Sequence, residues 1–257
     1  MFSHRAFFGF TALTDPDRHR EYNEWHQLDH LPENLLQPGV AWGDRWVLTP
    51  DCAELSVVGD PAHAGHQYAL MYWFRDPADE SMAVWRDVNE RTVHWGRRPE
   101  LGWTSRRPLG FFNPVKGYVH PRVLVSADAL PFRPHRGVWL SLTRVPAPQT
   151  PEAVRLFARY DREWLPGLLG CPGVAGAWTF SYAAGPGGFG SPGDEDPVAP
   201  GTLILHLLYL DGDPVAATRA IQAARAEWAD DAASVEQVVF SSPLRTITPW
   251  HWDWFAT

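Results

Sequence analysis

His26 and His30 lie four residues apart in the run Tyr22-Asn-Glu-Trp-His-Gln-Leu-Asp-His30, and Asp29 adjoins the second imidazole. An imidazole with an ordinary pKa near 6.5 exchanges protons at neutral pH, and a neighbouring carboxylate can fix its tautomer. This spacing therefore offers general acid–base chemistry: His30 as base, Asp29 orienting it, His26 assisting. The same pair has the i, i+4 spacing of a metal site, with oxygen from Asp29 or Glu33, but it lacks the acid that a zinc-hydrolase helix carries between its histidines. No metal and no cofactor is assigned. Tyr22, Asn23 and Trp25 on this segment, with Tyr72 and Trp73 from a later apolar run, are the candidate substrate contacts, Tyr72 as a donor to an oxyanion. His66 and His94 read as surface or helix-terminal residues. His206, in an apolar run, reads as a buried satisfied histidine or a haem ligand, and no cysteine or patterned distal set supports the haem. Walker, Rossmann, serine-elbow and Cys–His nucleophile patterns are absent.

These residues need a helix to carry them, and local chemistry supplies one. Thr14 or Asp15 can cap it, Pro16 suits its first turn, and Pro32 marks its stop because the residue before a proline avoids helical geometry. The segment His30-Leu-Pro-Glu-Asn-Leu-Leu-Gln-Pro-Gly-Val40 matches Trp164-Leu-Pro-Gly-Leu-Leu-Gly-Cys-Pro-Gly-Val174 without a gap, an offset of 134 residues (30 to 164). Around each copy the same order is expected. A strand (6–13; 137–143) precedes the helix, then come strands at about 44–48 and 176–182 and at 68–74 and 203–210. A second helix (81–95; 214–228) and a short strand before Pro114 or Pro243 complete each half. Each half is βαββαβ. The third strands are near-continuously apolar, as in strands buried on both faces, which suggests two stacked sheets with helices outside.

The repeat also serves as an internal control. At the same offset Asn23, His26 and His30 fall on Phe157, Tyr160 and Trp164, so one half carries an apolar stripe where the other carries an amide and two imidazoles. Buried without partners, such groups cost about 1–3 kcal/mol each, so a wet or ligand-filled pocket is expected in the first half alone. Asp29 corresponds to Glu163, an acid in both halves.

Composition sets the remaining bounds. The chain has 257 residues, 45% hydrophobic and 20% charged, enough for a large packed core. A net charge of −8 argues against a nucleic-acid partner. Two distant cysteines, Cys52 and Cys171, build neither a disulfide framework nor a metal knuckle. No apolar run approaches a bilayer span, and the first residues lack a secretory leader, so a cytoplasmic protein without membrane association is expected. The fourteen tryptophans exceed the needs of a core, so some are expected to line a cavity for a hydrophobic or aromatic small molecule. Expected boundaries are 1–120 for the active half, 121–134 for a linker and 135–257 for the structural half. Residues 184–201, rich in Gly and Pro, read as a linker-like loop, and the Trp-rich stretch 249–255 as a cover or a docked tail.

The run Tyr22-Asn-Glu-Trp-His-Gln-Leu-Asp-His-Leu-Pro-Glu33, ending in Pro38-Gly39-Val40, resembles the first-helix signature of the dimeric α/β-barrel superfamily, and within it the EthD-like branch. The resemblance implies an α+β fold in which two tandem ferredoxin-like repeats close a barrel within one chain, with a second copy of the chain as a further candidate partner. It also implies the superfamily's range of activities, which includes cofactor-independent monooxygenases, cyclases, isomerases and haem enzymes. The combined expectation is a cofactor-independent cyclase, isomerase or lyase using a histidine base on an aromatic or polyketide-like substrate. Alternatives are a cofactor-free monooxygenase and a non-catalytic small-molecule binder.

Overall fold

The computed structural model describes residues 2–99, 101–185, 198–228 and 235–255. Most of the 184–201 loop therefore lies outside the described residues.

Nine strands form one sheet: β1 (Ala6–Leu13), β2 (Val40–Val47), β3 (Val57–Val58), β4 (Tyr68–Phe74), β5 (Thr104–Val119), β6 (Gly137–Arg144), β7 (Val174–Ala184), β8 (Leu203–Leu210) and β9 (Gln237–Thr246). Their order is β2-β4-β1-β5-β7-β8-β6-β9-β3, all antiparallel where they pair. A further pairing of β2 with β9, Trp46 opposite Thr246 and Val47 opposite Arg245, closes the sheet on itself. The two stacked sheets expected from the apolar strands are thus one closed barrel of eight strands, with β3 as a short addition at β9. Closure satisfies the edge hydrogen bonds that an open sheet would expose.

Strand alternation divides the side chains into an inner and an outer layer. Ala6, Phe8 and Phe10 of β1, Ala69, Met71 and Trp73 of β4, and Leu203, Leu205, Leu207 and Tyr209 of β8 belong to one interior cluster. Phe8 meets Phe180 edge-on at 4.9 Å, and Trp73 meets Trp178 and Phe180 at 4.9 and 5.1 Å, so rings from strands far apart in sequence interlock inside. The alternate residues face outward under helices. The apolar runs are continuous because both layers are covered.

Outside lie α1 (His19–Trp25), α2 (Leu31–Leu35), α3 (Pro50–Ala53), α4 (Ala78–His94), α5 (Pro151–Arg159), α6 (Leu165–Leu169) and α7 (Pro214–Ala226). Thr150 caps α5 and Asp213 caps α7, each followed by proline at the first helical position. A single wide π turn joins α1 to α2 (His26–His30) and another joins α5 to α6 (Tyr160–Trp164). In each, the N–H of the leucine before the proline reaches five residues back, Leu31 to His26 and Leu165 to Tyr160. Pro32 therefore does not end the first helix: it occupies the first turn of α2, where its missing N–H costs nothing. Likewise Pro114 and Pro243 lie within β5 and β9. Pro114 sits at a register shift against β7, a place where a strand tolerates proline.

The segment 121–134 does not dangle between halves. Leu130 is fully buried against the barrel, Trp178 Nε1 donates to Ala127 O at 3.0 Å, and Arg122 and Arg133 share Asp211. The C-terminal stretch docks beside α1. Trp252 is buried with Leu13, Tyr22 and Tyr68, and Phe255 stacks on His19 at 4.1 Å.

Candidate functional site

Between the π turn after α1 and the outer faces of β1, β4 and β5 lies a cavity of about 90 Å³. Tyr22, Trp25, His26, His30, Tyr72, Trp85, Asn89, Arg98 and Arg106 are among its lining residues. His26 and His30 stand edge to face, ring centroids 4.8 Å apart, and Trp25 stacks on His30 at 4.7 Å. The π turn brings both imidazoles to the cavity while breaking the 3.6-residue phase that a regular helix would keep. Asn23, expected on the same face, instead turns toward β4. Its Nδ2 donates to His19 O and to Tyr68 Oη, both at 2.8 Å. Tyr68 Oη is in turn hydrogen-bonded to His19 Nδ1 at 2.8 Å, and burial lowers the pKa of His19. Asn23 is a structural bracket outside the cavity lining.

Three further expectations are corrected. Asp29 does not orient His30: its carboxylate faces Arg97, at 2.8 Å, and Glu33 joins the same guanidinium at 3.1 Å. The wide turn rotates this acid to the protein surface. Trp73 points into the barrel, where it stacks on Phe2 at 3.9 Å and donates to Ser3 O at 3.0 Å. Alternation permits only one of the neighbours Tyr72 and Trp73 to face the helices, and it is Tyr72. His66, expected at the surface, is buried, its Nδ1 3.1 Å from His63 O and its ring stacked on Phe10. His94 ends α4 and is exposed, as expected.

Arg45 was not singled out by sequence, yet it is the most unusual residue near this site. It is 2% exposed, and its guanidinium lies 4.9 Å over the Tyr22 ring and 5.1 Å over the Tyr68 ring. It has no carboxylate partner among the described residues, and its Nε and Nη2 find no hydrogen bond. Because Trp46 points inward, alternation alone would have placed Arg45 under the helix. Arg106, on β5, adds a second cation at the exposed rim, where partial loss of solvent lowers its pKa.

The electrostatic consequence is one-sided. Among the described residues no aspartate or glutamate lines the cavity. Desolvation, then the charges of Arg45 and Arg106, push His30 down to about 3, and desolvation with Arg45 and His30 lowers His26 well below its ordinary value. Both imidazoles are neutral at pH 7. Burial holds the Tyr72 phenol well above its ordinary range, so it keeps its proton and can donate it. Tyr72 Oη is without a hydrogen bond, and His26 Nδ1 finds no partner on a neighbouring residue. Buried polar atoms are normally satisfied, and such orphans around a void mark a place for water or ligand. Among the described residues no group of three or more His, Cys, Asp or Glu side chains could hold a metal ion.

A second void contradicts the expectation of a single pocket. A cleft of about 590 Å³ lies over β7 and β8, lined by Tyr118, Val154, Phe157, Tyr160, Thr179, His206 and others. The apolar stripe at 157, 160 and 164 does not simply pack. Trp164 stacks on Trp228 at 5.6 Å, while Phe157 and Tyr160 line the opening.

No family model matches the chain, and no curated protein matches its sequence. Its shape does have relatives among solved structures. It is similar to a protein assigned as a monooxygenase from Fusobacterium nucleatum, with TM-score 0.53 and 8% identity over 96% of this chain and 94% of that one. An anthrone oxidase-like protein gives 0.51 at 10% identity over 95% and 92%, and a protein assigned as a chlorite dismutase gives 0.50 at 12% over 99% and 98%. The fold they share with this chain is that of a dimeric α/β barrel. At these identities the likeness extends to the fold and no further. No helix among the described residues is long and apolar enough to cross a membrane.

Proposed function

We propose that the chain is a cofactor-independent enzyme that removes a proton from an enolisable aromatic small molecule at the cavity beside His30. One observation carries this reading: Tyr72 Oη and His26 Nδ1 are left without neighbouring partners in a cavity that has arginines near it and, among the described residues, no acid.

The chemistry follows from the charges. A neutral imidazole with a pKa near 3 is a weak base toward a neutral substrate. When an acidic C–H or O–H compound enters and begins to ionise, its negative charge offsets the field of Arg45 and Arg106, the same field that depresses His30. The proton affinity of His30 rises as the substrate ionises. Tyr72 donates to the developing oxyanion, and His26, edge-on to His30, holds a second polar contact. The role assigned to Asp29 is not needed. A void of about 90 Å³ has room for only the reacting end of the substrate. The rest lies toward Arg106, the most exposed lining residue.

After proton loss, cyclisation, isomerisation or elimination completes the reaction. A second reading, attack of the carbanion on O₂ to give a ketone and water, has its own support: the small void suits a diatomic molecule, and two structures of similar shape are named as a monooxygenase and as anthrone oxidase-like. The chain itself is read as two ferredoxin-like βαββαβ halves, 1–120 and 135–257, joined by 121–134. The paired π turns and Pro-Gly-Val turns 134 residues apart support that division.

The test uses anthrone as probe and follows exchange of its acidic C–H in D₂O by NMR, which reports proton removal whatever step follows. The protein is expected to accelerate exchange, and His30→Gln to lower that acceleration about 100-fold while anthrone still binds. Exchange unchanged in His30→Gln refutes the assignment. Oxygen uptake in the same solution separates the two readings.

A further inference from the structure

The cleft over β7 and β8 has the size of a ligand site and an unsatisfied polar atom within it. Its volume of about 590 Å³ falls within the range of about 300–1,000 Å³ in which small-molecule pockets occur. His206 stands on the outer face of β8, between Ile204 and Leu208, and is 4% exposed. Its Nδ1 lies 3.0 Å from Thr179 Oγ1, and the Tyr160 ring covers it at a centroid distance of 4.5 Å. Its Nε2 has no hydrogen-bond partner among the described residues, and Ser141, opposite it across the β6–β8 ladder, does not supply one. Whichever nitrogen carries the proton, Nε2 is left to donate or accept one hydrogen bond with an occupant of the cleft.

The lining also defines the charge of that occupant. Asp161 is engaged by Lys116 and by Tyr118 Oη, so the carboxylate and ammonium at the cleft neutralise each other. The Tyr160 hydroxyl is committed to Glu236. What remains is uncharged: the apolar Val154, Phe157, Leu165 and Ile204, with the neutral polar Gln149, Thr179 and Ser181 beside them. Val154 is 56% exposed and stands at the rim. In the first cavity the polar groups are helix imidazoles with strand tyrosine and arginine. Here the tyrosine is on the helix and the imidazole on the strand, and no unpaired cation accompanies them.

We propose that this cleft is a second ligand site, for a neutral aromatic hydroxy or carbonyl compound whose oxygen meets His206 Nε2 while its ring lies among Phe157, Tyr160 and Ile204. The inference is independent of the reaction assigned to the first cavity.

Calorimetric titration of the full chain tests it with 1-naphthol as the neutral probe, naphthalene as the analogue lacking the hydroxyl, and 1-naphthoate as the anion. Expected is one-to-one binding of 1-naphthol, weakened about tenfold in His206→Phe, the worth of one hydrogen bond, with naphthalene binding unchanged by that substitution. Val154→Trp, at an exposed position where folding is not at risk, should fill the mouth and weaken 1-naphthol at least tenfold. His30→Gln should leave it unchanged. The proposal is overturned if 1-naphthol does not bind, if Val154→Trp leaves its affinity intact, or if 1-naphthoate binds as tightly as 1-naphthol. Binding lost in His30→Gln and kept in Val154→Trp would move the probe to the first cavity and equally overturn it.

Discussion

Replacing His206 with phenylalanine should change how stability depends on pH, in a direction fixed by burial. Desolvation, helped by the charge of Arg225, holds His206 at about 3 in the folded chain, whereas the unfolded chain returns it to an ordinary 6.5. Between those values the unfolded state takes up a proton that the native state refuses. The contribution is therefore intact above pH 6.5 and is lost progressively as the pH falls toward 3. At about 1.4 kcal/mol per tenfold change in proton activity, acidification from pH 7 to 5 costs the native chain about 2 kcal/mol through this residue alone. Phenylalanine retains the ring and cannot titrate. Urea unfolding followed by tryptophan fluorescence at pH 5, 6, 7 and 8 would read the difference, because other titrating groups contribute equally to both proteins and cancel. The constant cost of fitting a slightly larger ring shifts all four points together. The expected result is a gap between variant and parent that moves by about 2 kcal/mol in favour of the variant from pH 7 to pH 5. Parallel profiles would mean that His206 protonates freely in the folded protein, and would refute the buried environment described for it. Glu236 provides a contrast of opposite sign: burial raises its pKa, so it favours the folded state on the acidic side.

Asp29→Asn should leave proton exchange of anthrone unchanged, since Asp29 contacts Arg97 and not His30; a tenfold loss would restore it as an orienting group. Gly43→Ala should impair the same exchange and lower stability by about 1–3 kcal/mol, because a Cβ at Gly43 would come within 2.6 Å of the Tyr72 ring and displace it. Trp73→Ala should cost about 3–5 kcal/mol in urea unfolding, as befits a ring enclosed within the barrel; a loss below 1 kcal/mol would contradict that placement.

The strands were legible because their physics is local. The runs 6–13, 68–74 and 203–210 were found within a residue or so, since apolar runs of β-branched and aromatic residues fold as strands wherever both faces are covered. The site was only half legible. Counting at 3.6 residues per turn found His26 and His30 and correctly joined them to Tyr22, Trp25 and Tyr72. It failed for Asn23 and Asp29, because a π turn is set by how a helix accommodates Leu-Pro against a sheet, and no residue type announces it. Arg45 was missed for a different reason. An arginine reads as a surface residue unless the strand's facing is already known, and only barrel closure fixed Trp46 as interior. The second cleft was hidden by treating Phe157 and Tyr160 as packing. Aromatic residues line voids as readily as they fill them, and sequence does not distinguish the two.

A barrel closed by two seams, β5 with β7 and β2 with β9, joins both helical faces through one covalent chain. In an assembly of identical subunits every substitution is made twice, so two equivalent recesses must change together. Here each recess can be altered by itself, so a mutation that retunes one leaves its opposite number as it was. Specialisation of the two is then limited only by the aromatic interior they share, through which a change in volume on one side would press upon the other.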